Sequence, residues 1–166
     1  MDTYSYDNKK IVNIKRKCFL DISPISFEIV PFLDKRGEEK QMIKIGNFDY
    51  VKLFLGEIDT TDFFWPNKVF IAKKERRIMG WITYQIKNDE MINLKIAVDY
   101  ENAEKGVSKA LVQRCIILAK DSNLTSISTK VLSSNILSQG LFRSMGFELK
   151  KSRNPVFNGY DAVFKL

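Results

Sequence analysis

The stretch Ile96-Ala97-Val98-Asp99-Tyr100-Glu101-Asn102-Ala103-Glu104-Lys105-Gly106-Val107-Ser108-Lys109-Ala110-Leu111 changes hydrophobic period midway. Up to Val98 it reads as the end of a strand that begins at Met91. From Val107 onward the apolar residues Val107, Ala110, Leu111, Cys115 and Leu118 form a helical stripe. A short loop ending at Gly106 joins the two. The first N–H groups of a helix have no intrahelical acceptor, and the helix dipole is positive there, so such a turn suits a pyrophosphate. Gly106 lets the backbone approach a ligand closely. Ser108 is small and carries a hydroxyl, and Lys105 and Lys109 can pair with phosphate oxygens. On spacing alone, one glycine before a helix is also what an ordinary strand-to-helix connection looks like.

Upstream, Ile78 to Ile86 and Met91 to Val98 are two strand-like runs joined by an Asn88-Asp89 turn, which predicts a hairpin. Val69 to Lys73 is a further strand. Asp59 to Asn67 is a loop containing Phe63, Phe64 and Trp65. Asp49 can cap a short helix from Tyr50 to Leu55, and Asp34 to Lys40 is a turn or a helix start. Ile22, Ile25, Ile29 and Phe32 recur at helical spacing behind Asp21 or Ser23, so a helix is expected there, ended by Pro31. Ile11 to Cys18 is read as the first strand. Downstream, Thr125 to Val131 is a strand, and Asn135 precedes a helical run with Leu137, Leu141 and Met145. Gly146 stands where a left-handed residue ends a helix. Two closing strands follow, joined by the Ser152 to Gly159 loop. This order predicts a mixed α/β class.

The chain has 166 residues, which favours one domain, with residues 1–10 as a flexible tail and 11–166 folded. The longest apolar run, Cys115 to Ala119, is far below the ~20 residues that span a bilayer. The polar N-terminus has no signal-like apolar segment, so a cytoplasmic setting is expected. Cys18 and Cys115 are read as reduced core thiols. The chain contains no histidine, which removes Ser-His and Cys-His nucleophilic systems and imidazole as a base; no metal site is expected. The formal charge is +7, but its lysines and arginines are dispersed. That pattern disfavours nucleic acid and membrane as partners and suits attraction of an anionic cofactor or substrate.

The Val98 to Leu111 segment resembles motif A of the GNAT N-acetyltransferases, a strand ending in Val followed by Q/R-x-x-G-x-G/A and a helix. The matching positions are Ala103, Gly106 and Ser108, of which Ala103 and Ser108 depart from the pattern. Asn135, Ser138, Leu141, Phe142, Gly146 and Phe147 resemble the family's N-x-x-A-x-x-L-Y-x-x-x-G-F stretch, with Ser for Ala and Phe for Tyr. Met79-Gly80-Trp81 resembles its third strand. Ile14-Lys15-Arg16 with Asp21 and Ile25 resembles its first strand and helix. The resemblance runs from about Ile11 to Leu166.

The resemblance implies a GNAT fold: a mostly antiparallel α+β mixed sheet flanked by helices, whose parallel fourth and fifth strands splay apart around acetyl-CoA. Acetyl-CoA would be a cosubstrate, lying along Ile96, Ala97 and Val98. Its pyrophosphate would sit on Ala103, Glu104, Lys105, Gly106, Val107, Ser108 and Lys109, with Asn135 and Phe142 facing it. A backbone N–H at Ala97 or Val98 would serve the oxyanion. The implied reaction is direct attack of a primary amine of a small molecule, with an amino sugar or nucleotide-linked amino sugar among the candidates. A protein or peptide acceptor, or CoA binding without catalysis, are the alternatives. The family often uses a tyrosine where Phe142 stands, so Tyr160 or Tyr84 is the candidate proton donor. Glu90 and Glu28 are the candidate bases. Each of these also reads as an ordinary strand aromatic or surface carboxylate. Phe63-Phe64-Trp65 and Asn154 to Asn158 are candidate walls of an acceptor pocket, with core packing the alternative for the first. A monomer or homodimer is expected.

Overall fold

The computed structural model describes residues 3–5, 11–15, 25–32, 38–47, 49–99, 101 and 106–166. Along the chain run β1 (Thr3–Ser5), β2 (Ile11–Lys15), β3 (Ile25–Pro31), α1 (Glu38–Gly46) and α2 (Asp49–Leu55). Then come β4 (Lys68–Lys74), β5 (Arg77–Lys87), β6 (Glu90–Val98), α3 (Val107–Asp121), β7 (Ser126–Leu132), α4 (Ile136–Ser144), β8 (Glu148–Lys151) and β9 (Gly159–Lys165). The described strands form one nine-stranded sheet in the order β1-β2-β3-β4-β5-β6-β7-β9-β8. Every pairing is antiparallel except β6 with β7. The parallel pair expected as fourth and fifth is thus sixth and seventh in this sheet.

The expected helix over Ile25 to Val30 is a strand instead. Phe27 and Ile29 are buried, while Glu28 and Val30 are only half-buried, which is a period of two. Ile25 and Ile29 lie four apart and satisfy either period. β3 is flanked on both sides by paired strands, so its backbone groups find partners in the sheet. The proposed caps Asp21 and Ser23 lie outside the described residues. Thr3–Ser5, within the stretch expected as a tail, pair with β2 at the sheet edge.

Two apolar clusters cover the two faces. On one, α3 and α4 pack Val107, Leu111, Cys115 and Phe142 against Met79, Ile82, Met91, Ile127 and Ala162. On the other, α1 and α2 pack Met42, Ile45 and Val51 against Ile71, Ile78, Trp81 and Ala97. Trp81 is fully buried, and its indole N–H donates to the Met42 carbonyl at 2.9 Å, which fixes α1 on the sheet. Phe63 meets Trp81 edge-to-face at 5.1 Å, so the first aromatic of the Phe63-Phe64-Trp65 run is a core residue. Asn47 closes the α1–α2 connection by exchanging two hydrogen bonds with the Ile58 backbone, at 2.8 and 2.9 Å. The expected β5–β6 hairpin is present, and Asn88 and Asp89 both adopt positive φ, at 51° and 59°, as its tight turn requires. Cys115 is buried, and burial pushes its thiol pKa up, so it is a packing residue and not a nucleophile. No helix among the described residues is long and apolar enough to cross a membrane.

Gly80 marks a close approach of β5 to β6. A Cβ there would lie 2.8 Å from the Ala97 carbonyl oxygen and 3.2 Å from Val98 Cα. Gly80→Val should therefore destabilise the fold by about 2 kcal/mol through overpacking. The shift of the urea midpoint measures this, and an unchanged midpoint would show that the strands have room for a side chain.

Candidate active site

β6 and β7 pair only at Glu90↔Ser126, Met91↔Ile127 and Ile92↔Ser128. Immediately beyond, β6 carries a bulge. Thr83 pairs with Lys95 but Gln85 pairs with Ile92, so Asn93 and Leu94 together oppose Tyr84. Asn93 adopts a left-handed φ of 56°, a conformation that asparagine tolerates better than most residues. A bulge bends its strand and increases the local twist. Past it the strands part, and the Thr129 hydroxyl crosses, donating to the Leu94 carbonyl at 2.9 Å.

The gap is a cavity of about 540 Å³ that reaches both faces of the sheet. Leu94, Ile96, Ala97 and Val98 form one side of the V; Lys130, Val131 and Leu132 form the other. Ile96 and Val98 belong to the α3/α4 face, and Ala97 belongs to the α1/α2 face. On the α3/α4 face the lining is Ser108, Asn135, Leu137, Ser138, Leu141 and Phe142. On the α2 face it is Val51, Phe54 and Leu55, with Phe157 from the β8–β9 loop.

The N-terminus of α3 opens beside Val98. Gly106 is its N-cap with φ 80°, and no side chain caps the first turn. A left-handed N-cap leaves the first N–H groups directed at whatever lies before the helix. No acidic residue lies in that turn. Across the start of the loop, Arg77 donates to Asp99 at 2.8 Å and to Glu101 at 2.5 Å, and these two carboxylates hold its guanidinium firmly protonated. One of their two negative charges is thus balanced near the turn. Asn135 caps α4, its side-chain oxygen accepting from Ser138 N–H at 3.1 Å. Gln139 is buried, and its amide donates to the carbonyls of Leu132 and Ser133 at 3.1 and 2.9 Å, tying α4 to the end of β7.

The structure brings together Ile96, Ala97, Val98, Ser108, Asn135 and Phe142 around one cavity. Gly106 stands at the helix entrance. Val107 is buried in the core, and Lys109 is half-buried in the first turn, outside the lining. Ala103, Glu104 and Lys105 lie outside the described residues. The acid and base candidates are elsewhere. Glu90 is at the paired end of β6, opposite the V, where it accepts from the Ser126 hydroxyl at 2.9 Å. Glu28 is on β3, and not on a helix. Tyr160 lies on β9 opposite Val131 and Lys151, with the Arg143 guanidinium 5.9 Å from its ring centre, and does not line the cavity. Tyr84 is buried and stacked on Phe70 at 5.3 Å, and burial pushes its hydroxyl pKa up. Of the two candidate acceptor walls, Phe157 of the Asn154 to Asn158 loop does line the cavity. Phe63, Phe64 and Trp65 do not.

The α2 wall and Lys130 were not singled out in the sequence. Val51 and Leu55 are spaced as any core stripe, and nothing local distinguishes a residue facing a cavity from one facing a sheet.

The acetyltransferase (GNAT) family matches residues 38–147, from α1 to the residue after Gly146. The chain belongs to the GNAT acetyltransferase family. Human N-acetyltransferase 8B is 24% identical to it over 124 residues, which are 71% of this chain and 51% of the human protein. The chain thus spans about half the length of that curated relative. The GNAT domain of S. lividans PAT shares the fold with a TM-score of 0.71 at 15% identity, over 85% of this chain and 91% of that domain. A Bacillus subtilis acetyltransferase solved in complex with CoA has a TM-score of 0.66 at 16% identity, over 84% and 99% of the two chains. The strands that splay are the pair the GNAT resemblance marks.

Asn135→Ala should cost about 1 kcal/mol of stability, because α4 loses its only side-chain cap. Chemical denaturation checks it; no loss would mean that Ser138 N–H finds another acceptor.

Proposed function

We propose that the chain is an N-acetyltransferase that moves the acetyl group of acetyl-CoA to the primary amine of a small molecule. The observation that carries this reading is the continuous opening from the uncapped N-terminus of α3, along the unpaired side of β6, to the α2 face. The pyrophosphate would rest on the α3 entrance at Gly106 to Ser108. The pantetheine would run along β6 past the bulge, where β7 no longer pairs with that strand. Asn135, Ser138 and Phe142 would flank it.

The acceptor nitrogen uses its lone pair to attack the thioester carbonyl carbon. A backbone N–H in the Ile96–Val98 segment steadies the resulting oxyanion. The C–S bond then breaks, its electron pair leaves on sulfur, and the amine loses a proton while the thiolate gains one. The products are the acetamide and CoA. No Asp, Glu or Tyr occurs among the described lining residues, and Phe142 has no proton to give. In this reading water carries the protons, and positioning supplies the rate, an effect that can reach ~7–11 kcal/mol.

Acetyl-CoA at about 100 times its Kd should stabilise the fold by ~2.7 kcal/mol, read as a thermal shift. Gly106→Val should abolish the shift, since φ 80° is strained for a branched residue and the side chain would crowd the phosphate. Retained affinity in that variant would remove the pyrophosphate from this turn.

The pH profile tests whether a residue of the chain takes the proton. Only the neutral amine attacks, and its fraction rises with pH below its own pKa, near ~10 for an alkylamine. kcat/KM should then climb about tenfold per pH unit between roughly pH 7 and 9. A plateau from pH 7 would reveal a group in the site that takes the proton. Turnover of peptides but of no small amine in the same thiol-release assay would replace the acceptor class.

A further inference from the structure

The two faces of the cavity differ in chemistry. Every polar uncharged side chain in the described lining, Ser108, Asn135 and Ser138, belongs to the α3/α4 face. The opposite face is walled by Val51, Phe54, Leu55, Leu132 and Phe157. Side chains alternate along β7: Ile127 and Val131 join the α3/α4 core, so Lys130 and Leu132 point the other way. Phe157 belongs to the same face, since the Lys130 ammonium lies 5.0 Å from its ring centre. Lys130 is also 3.6 Å from Asp161 and half-exposed, at the rim of that face. It is the only charged residue in the described lining.

On the reading above, the α3/α4 face is taken by the cofactor, which leaves the α2 face to the acceptor. We infer that the acceptor is a primary amine on an apolar aliphatic or aromatic body, and that Phe54, Leu55 and Phe157 select it. Three physical points converge on this class. An apolar wall gains from each carbon it covers. Its described apolar residues offer no partners to the hydroxyls of a sugar, which would lose their water on entry, and Lys130 at the rim is the one polar side chain described there. No carboxylate occurs in the described lining to receive the second ammonium of a polyamine, and Lys130 is held in its ion pair with Asp161. An amino sugar is therefore the wrong shape of chemistry for this wall. The inference rests on the acetyltransferase reading and can fail without it.

The test is thiol release by the full chain with acetyl-CoA over ethylamine, butylamine, hexylamine, phenethylamine, glucosamine and spermidine. Along the alkyl series kcat/KM should rise about threefold per methylene. Phenethylamine should exceed glucosamine and spermidine by about tenfold or more. Phe54→Ser should flatten the alkyl series while the acetyl-CoA thermal shift persists, and that shift shows the variant is folded with its cofactor face intact. A flat series in the wild type, a preference for glucosamine or spermidine, or acetyl-CoA binding with no turnover of any apolar amine would each overturn the inference. Loss of the acetyl-CoA shift in the wild type would instead overturn the acetyltransferase reading beneath it.

Discussion

β6 has nine residues and β7 has seven, yet only three pairs join them. The interruption is a single bulge at Asn93 and Leu94, and the rest of the site follows from it. A parallel pair in the middle of a sheet ordinarily satisfies both strands along their length. Here one inserted residue ends the ladder after Ile92, and the sheet opens between strands that remain held on their outer sides by β5 and β9. The outer pairings are long: β9 matches all seven residues of β7. The gap is thus framed by rigid ladders and does not depend on a flexible loop. Where β7 leaves β6, the strand side faces a gap and not another strand.

The helices divide the labour by face. α3 presents its N-terminus to the gap because Gly106 turns the chain there with a left-handed φ that costs other residues energy. α2 reaches the gap from the other side because α1 is fixed under it by Trp81 and by the Asn47–Ile58 exchange. Gln41 adds a third anchor, accepting from the Ile78 N–H at 3.0 Å. The positions of Val51, Phe54 and Leu55 are therefore inherited from core packing some distance from the cavity.

The chemistry available at the gap is spare. The chain has no histidine, and no carboxylate or phenol faces the cavity among the described residues. What the site offers is a dipole end, a strand side, an apolar wall and a lysine at the rim. Such a set can bind, orient and exclude water, and it places little demand on proton relays.

The sequence alone determined the second half of the chain. The period change at Val98 to Val107, the Asn135 cap and Gly146 at φ 93° specify their elements through local backbone physics, and the structure has them where the residues predict. Local signals also located the entrance of α3, since a helix start is written in a few consecutive residues. The first half was less legible. Ile25 and Ile29 fit a helix and a strand equally, and only pairing with β2 and β4 made them a strand. Tertiary structure alone decided which side chains share the cavity. It brought Phe54 beside Phe157 and Lys130, and it carried Glu90 and Tyr160 away from the gap. The reason is physical: register and the bulge fix which face and which end of a strand a residue occupies, and both are set by contacts between segments far apart in the chain.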